Sequence, residues 1–348
     1  MERILTYAEA IREATEQEMA RDSAVIVLGI GVDDFKGTYG TTKGLLEKFG
    51  PDRVFDTPLS EDAMTGVAIG AALAGFRPIH VHIRMDFVLL GMNQILNIAA
   101  KYRYMYGGAI SVPIVVRSVI GRSWGQGAQH SQALHSLFTH IPGLKVVAPS
   151  TPYDAKGTLI QSIRDDNPVM FIEHRMLHYQ KGHVPEHQYT VPLGKARVLN
   201  RGDDITLVGI SYMAVECLRA MELLREVGIS AEVIDPVSLS PLDIDTILHS
   251  VQKTGRLLVV DSGWTSCGIS AEIIAQVTGR FQGSREVRHQ RMGFEPVPCP
   301  TTKNLENLFY PNARKVTAAA YSLVHENRQS WMPKEIEAPE IIQFKGPF

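Results

Sequence analysis

Hydrophobic positions in the first half of the chain come in short continuous runs rather than in strict alternation. Runs at 24–29 (AVIVLG), 54–57, 78–83, 112–117, 144–148 and 169–172 read as strands buried on both faces. Helical stretches at 7–20, 41–49, 61–74, 86–101 and 153–164 separate them. That alternation predicts a parallel sheet flanked by helices, an α/β fold. A polar stretch bearing histidines and prolines, 180–192 (QKGHVPEHQYTVP), breaks the pattern, and a second α/β series follows it. Its strands are read at 205–210, 231–235, 257–261 and 287–291, with helices at 214–227 and 269–278. The chain thus divides into a first domain at 1–180, a linker at 181–193, a second domain at 194–328 and a proline-rich extended tail at 329–348.

Composition narrows the class. A chain of 348 residues is long enough for two ordinary cores, and 45% hydrophobic with 21% charged residues is a soluble globular balance. With a net charge of −2 and no basic block, the chain has no electrostatic footprint for nucleic acid or an anionic membrane. The first helix is charged and amphipathic, without the apolar core of a signal peptide, and no apolar run reaches the length of a membrane span. Three cysteines, Cys217, Cys267 and Cys299, are odd in number and far apart, which fits a reducing, cytoplasmic compartment.

The most telling local stretch is 56–75, DTPLSEDAMTGVAIGAALAG. Pro58 marks the end of a strand, Ser60 is a helix N-cap, and Glu61 and Asp62 fill the first turn of a helix with very little bulk. A ligand or another backbone can approach such a helix closely, and strand ends are where open α/β sheets bind ligands. An acid in a first turn also interacts favourably with the helix dipole and needs no other purpose. A second stretch, GRSWGQGAQHSQ at 121–132, is a permissive loop after a buried strand, with His130 flanked by hydrogen-bonding groups.

Metal and phosphate motifs are thin. His174 and His178, and His183 and His187, have four-residue spacing, but the first pair lacks the glutamate of HExxH and Pro185 interrupts the second. His80 and His82 share a strand face with no third ligand nearby. Neither a P-loop nor a GxGxxG stands between a strand and a helix, so the site binds an unusual ligand or is shared with a partner.

Taken together, 56–61 (DTPLSE), 66–75, 99–108, 127–132 (GAQHSQ), 142–147 (PGLKVV), 253–256 (KTGR) and 303–306 (KNLE) resemble the β subunit of thiamine-diphosphate-dependent 2-oxo acid dehydrogenases. The resemblance spans nearly the whole chain. It implies a transketolase-like pyrimidine-binding domain followed by a transketolase C-terminal domain. It also implies thiamine diphosphate shared with an α subunit in an α2β2 heterotetramer with a β–β contact. The α subunit would hold Mg2+ and the diphosphate, and a lipoyl acyltransferase core is a further partner. Glu61 would hydrogen-bond the aminopyrimidine ring, with a pKa that burial would suit. Phe87 would stack on it beside Leu59, and His130 would act at the reacting centre. A structural K+ would lie on carbonyls and a side chain of Ile114, Ser162, Asp165 and Asn167.

Two departures qualify the resemblance. The family's acidic pair after the first strand is replaced by Ile30-Gly31, and its EFMTFNF strand is VHIRMDF at 81–87 in this chain. Arg84, Arg122 and Trp124 near the pocket mouth then point to an anionic or ring-bearing substrate. The main reading is a decarboxylating, acyl-transferring 2-oxo acid dehydrogenase subunit. The alternatives are a carboligase acting on a sugar or other biosynthetic intermediate, and a non-catalytic scaffold.

Overall fold

The computed structural model describes residues 3–122, 125–281, 286–326 and 328–334. By packing, the chain forms two compact units. Met1–Gly121 with Leu137–Leu193 make the first, and Arg122–Ser136 with Gly194–Phe348 the second. The loop that carries His130 therefore packs with the second unit, although the first unit's chain flanks it on both sides.

In the first unit, strand β1 (Ile4–Thr6) leads into helix α1 (Tyr7–Arg21). A capping box starts this helix, with Thr6 and Glu9 satisfying each other's backbone N–H groups. Tyr7, Ala10, Ile11, Ala14 and Met19 are its buried stripe. The sheet strands follow as β2 (Val25–Gly29), β3 (Val54–Phe55), β4 (Arg77–His82), β5 (Val115–Ile120), β6 (Lys145–Val147) and β7 (Val169–His174). Helix α2 (Glu61–Leu73) joins β3 to β4, α3 (Ala100–Met105) precedes β5, and α4 (Pro152–Arg164) joins β6 to β7. The strands are parallel in the order β6-β7-β5-β4-β2-β3, and β2, β5 and β7 are buried throughout, as their continuous apolar runs predict. The chain runs to β3 on one side of β2 and then returns to the other side. The strand order reverses there, so ligand chemistry is expected at the carboxyl ends of β2 and β4.

Two expected elements differ. The continuous helix expected at 86–101 is broken into a helical turn at Met85–Val88, a 3-10 turn at Leu89–Gly91 and a π-helical stretch at Gln94–Ala99 before α3. The stretch expected to be a linker begins with β8 (Lys181–His183), which pairs antiparallel with β1, Ile4 lying opposite His183.

At the heart of this sheet is a buried charge network. Arg117 on β5 donates from Nε and Nη2 to Glu173 on β7 at 2.6 and 2.9 Å, and His178 bonds the same carboxylate at 3.2 Å. Burial pushes the Glu173 carboxyl up, but Arg117 and His178 outweigh it and bring the pKa down to about 2.

The second unit holds β9 (Arg197–Asn200), β10 (Ile205–Gly209), β11 (Ala231–Asp235), β12 (Arg256–Trp264) and β13 (Arg288–Phe294) in the order β13-β12-β10-β11-β9. All pairs are parallel except the edge strand β9. Helices α5 (Tyr212–Glu226), α6 (Ile244–Thr254) and α7 (Ile269–Arg280) connect them, and α8 (Lys303–Phe309) and α9 (Ala313–Val324) close the unit. Residues 335–348 of the expected tail lie outside the described residues. Among the described residues no helix is long and apolar enough to cross a membrane.

Candidate active site

Glu61 opens α2 directly beyond β3, with Ser60 as the N-cap residue. Asp56 secures the approach, its Oδ1 accepting from Gly31 N at 2.7 Å and Thr57 N at 2.9 Å and so tying the end of β3 to the end of β2. The Ile30-Gly31 departure thus sits against Asp56. Within the single chain, Glu61 is half-exposed, Leu59 is 79% exposed and Phe87 is 37% exposed. Large apolar side chains left open beside a carboxylate form a rim that another surface or a flat ligand can cover.

Two contacts fix the first turn of α2. Thr65 Oγ1 lies 3.2 Å from His80 Nε2, and His80 Nδ1 lies 3.4 Å from the Leu28 carbonyl, so a histidine on β4 fastens the helix to the sheet. On its other side the helix meets Gly91. A methyl group there would stand 2.7 Å from Thr65 Oγ1 and 3.4 Å from the Glu61 carbonyl, so only glycine allows this approach. The segment that carries Phe87 is thereby pressed onto the turn that carries Glu61, which is also why the expected helix breaks there.

The paired histidines are structural. Their rings meet edge to face at 4.2 Å. Burial lowers the pKa of His80 to about 4, against the opposing Leu28 bond, and burial with the neighbouring His80 holds His82 well below its usual value. An unfolded chain binds these protons near pH 6.5, so it carries more protons than the fold between about pH 6.5 and 4. Stability is therefore complete above that window and falls on acidification through it, by roughly 3 kcal/mol for a pKa lowered as far as that of His80. Glu173 extends the loss below about pH 4.5 as its depressed carboxyl is protonated. Urea titrations at pH 7.5, 5.5 and 4.5 check this, and His80→Asn is expected to flatten the upper part of the acid limb.

The candidate pocket arginines are turned inward. Arg84 is 4% exposed and donates from Nη1 to the Gly121 carbonyl at 3.2 Å. Arg122, in the second unit, is 8% exposed, with its guanidinium 5.1 Å from the Tyr310 ring centre. Its charge opposes the burial that raises the Glu306 carboxyl. Both guanidinium groups are thus buried within the chain rather than displayed. Trp124 lies outside the described residues.

His130 follows the short turn Gly127–Gln129 in the second unit and is half-buried. Glu61, Leu59 and Phe87 therefore belong to the first unit and His130 to the second.

The potassium positions are engaged by the protein's own groups. The Ile114 carbonyl accepts from Val169 N at 2.9 Å, and the Ser162 carbonyl from Asp165 N at 3.3 Å. The Asp165 carboxylate bonds the Lys145 ammonium and Asn167, and its carbonyl accepts from Arg77 Nη1 at 3.1 Å. Lys145 and Arg77 thus both lie against oxygens of Asp165. Among the described residues no group of three or more His, Cys, Asp or Glu side chains could hold a metal ion.

Comparison with known proteins places this geometry. Residues 4–180 match the transketolase pyrimidine binding domain and residues 194–316 the transketolase C-terminal domain. The chain is 46% identical over 330 residues to the β subunit of acetoin:2,6-dichlorophenolindophenol oxidoreductase of Cupriavidus necator, covering 92% of this chain and 97% of that one. It is 43% identical over 315 residues to the β subunit of the pyruvate dehydrogenase E1 component of Rickettsia bellii, covering 90% and 97%. The chain belongs to the family of transketolase-like dehydrogenase β subunits. Its class is that of the thiamine-diphosphate-dependent 2-oxo acid dehydrogenases. A split-gene transketolase, an inactive β4 tetramer, shares the fold with a TM-score of 0.77 at 21% identity, covering 93% of this chain and all of the other.

Sequence reasoning missed Thr65, His80 and Gly91 as the braces of the Glu61 turn. His80 carried a signal, since a histidine inside an apolar strand needs a partner. Nothing in the sequence paired Gly91 with Thr65.

Proposed function

We propose that this chain is the β half of an α2β2 enzyme whose thiamine diphosphate is held jointly with an α subunit. The reading is supported by the exposed Leu59 and Phe87 and the half-exposed Glu61 in the segments that follow β3 and β4. This make-up suits an aminopyrimidine, which presents apolar ring faces and a polar edge. The chain offers no phosphate loop, so the diphosphate and its Mg2+ fall to the α subunit. When bound, the cofactor supplies a carbon acid that adds to a carbonyl and stabilises the charge left by carbon–carbon cleavage.

The chain's own residues prepare and use that chemistry. Glu61 would accept a hydrogen bond from the ring nitrogen of the aminopyrimidine and so favour the form of the ring that can take up a proton. Phe87 and Leu59 exclude water from the ring faces. Val67, Leu73 and Leu90 are further exposed apolar side chains of this unit, of the kind a partner chain covers. His130 moves a proton at the acceptor step, when the acyl unit passes to a lipoyl group or another acceptor. His130→Ala is expected to leave cofactor binding within twofold and to slow acceptor transfer by roughly 10²- to 10³-fold. Calorimetric titration of the cofactor beside a transfer assay on the assembled pair checks both.

A second substrate is favoured by a specific observation: the 46% identical relative acts on acetoin by its name. The assembled pair tested with pyruvate and with acetoin, each with 2,6-dichlorophenolindophenol as electron acceptor, decides which substrate has the larger kcat/KM.

A further inference from the structure

The loop that carries His130 is anchored within its own unit by a buried pair with no part in the mechanism above. His135 and Asp261, on β12, are each 1% exposed at the side chain, and His135 Nε2 lies 3.0 Å from Oδ1 and 3.1 Å from Oδ2 of the carboxylate. A carboxylate only accepts, so Nε2 carries the shared proton. His135 Nδ1 is buried without a hydrogen-bond partner among the described residues, so the ring is held through one nitrogen only. Three further contacts fasten the same loop. Ile269 N donates to Ser136 Oγ at 3.0 Å, and Cys299 Sγ approaches the Ser131 carbonyl at 3.6 Å. Gly127 packs so closely that a methyl group there would stand 2.4 Å from Thr301 Cγ2. His130 lies between these anchors, its N–H directed to the Gly127 carbonyl at 3.4 Å.

A buried polar pair is weak support for stability, because apolar residues of similar volume usually serve as well. What the pair adds is direction. One buried hydrogen bond from Nε2 to Oδ2, with Oδ1 3.0 Å away but without a hydrogen-bond partner among the described residues, ties the ring of His135, five residues after His130, to β12. We propose that His135 and Asp261 are positioning residues that set where the His130 imidazole stands. The proposal rests on His130 acting at the acceptor step, where a displacement of about 1 Å is enough to cost on the order of 10²-fold.

A double-mutant cycle in the full chain, assembled with its α subunit, tests this. His135→Ala is expected to lower the rate of acceptor transfer by roughly 10- to 100-fold in the wild-type background. In the His130→Ala background the same change is expected to cost less than about twofold, because the group being positioned is gone. His135→Gln, whose amide can still donate to Asp261, is expected to recover most of the loss, and Asp261→Ala, which removes the acceptor, is expected to behave like His135→Ala. Equal losses in both backgrounds would overturn the proposal. Amide hydrogen exchange over 125–136 in the free β chain gives a readout that needs no turnover. His135→Ala is expected to speed it about tenfold or more while β10 and β11 are unchanged, and an unchanged loop would likewise refute the positioning role. If the wild-type pair transfers no acyl unit, the functional reading fails by itself, and the exchange experiment still decides whether the pair holds the loop.

Discussion

Glu61→Gln is expected to assemble normally with the α subunit and to lose roughly 10²- to 10⁴-fold in substrate turnover. That range is the usual contribution of a positioned proton-transfer group and corresponds to about 3–5 kcal/mol of transition-state stabilisation. The amide keeps the size of the side chain but cannot hold the ring nitrogen protonated. Because Glu61 is half-exposed at the start of α2, with Thr65–His80 and Gly91 bracing the turn beneath it, the change disturbs no core packing. Unfolding curves should therefore superimpose on those of the wild type. A steady-state assay of the assembled pair checks the first part and a thermal melt of the free chain the second.

The second large effect concerns stability. Glu173→Gln removes the countercharge of Arg117, whose side chain is 1% exposed, and leaves a guanidinium buried in the sheet. Breaking a buried pair in this way costs about 3–5 kcal/mol. Replacing both partners by apolar residues, Arg117→Met with Glu173→Leu, costs less than the single change because no lone charge remains. Denaturant titration of the three variants checks the order. The single variant is also expected to lose the part of the acid sensitivity below about pH 4.5 that Glu173 contributes, since no carboxyl is left to protonate there.

The parts of this molecule that the sequence made readable are those in which one local pattern decides the outcome. The β2 run VIVLG and the β10 run ITLVG are buried on both faces, and continuous apolar runs have few other stable homes. The α1 boundaries were equally plain, because Thr6 and Glu9 form a capping box. Comparable signals marked α6, with Asp243 as N-cap and Gly255 in a left-handed C-cap, and α9, with Asn312 as N-cap. The strand-centred reading passed over them. What local pattern cannot give is contact at long separation. Helix 86–101 breaks because Gly91 meets Thr65, and β8 exists only because β1 pairs with it some 180 residues earlier in the chain. His135 and Asp261 are 126 positions apart, and no spacing rule joins them. In the candidate site, Leu59 with Glu61, and Phe87, were legible because they follow the ends of β3 and β4. The inward turn of Arg84 and Arg122 was not, since a buried and a displayed arginine look the same in a sequence.

The most direct measurement is deuterium exchange at the thiazolium C2 of thiamine diphosphate bound to the assembled pair, followed by quenched-flow NMR without substrate. Wild-type β chain should accelerate this exchange far above the rate of free cofactor, and Glu61→Gln should return it to within about tenfold of free cofactor. Exchange equally fast with either chain would contradict a role in cofactor activation for the carboxylate at the start of α2.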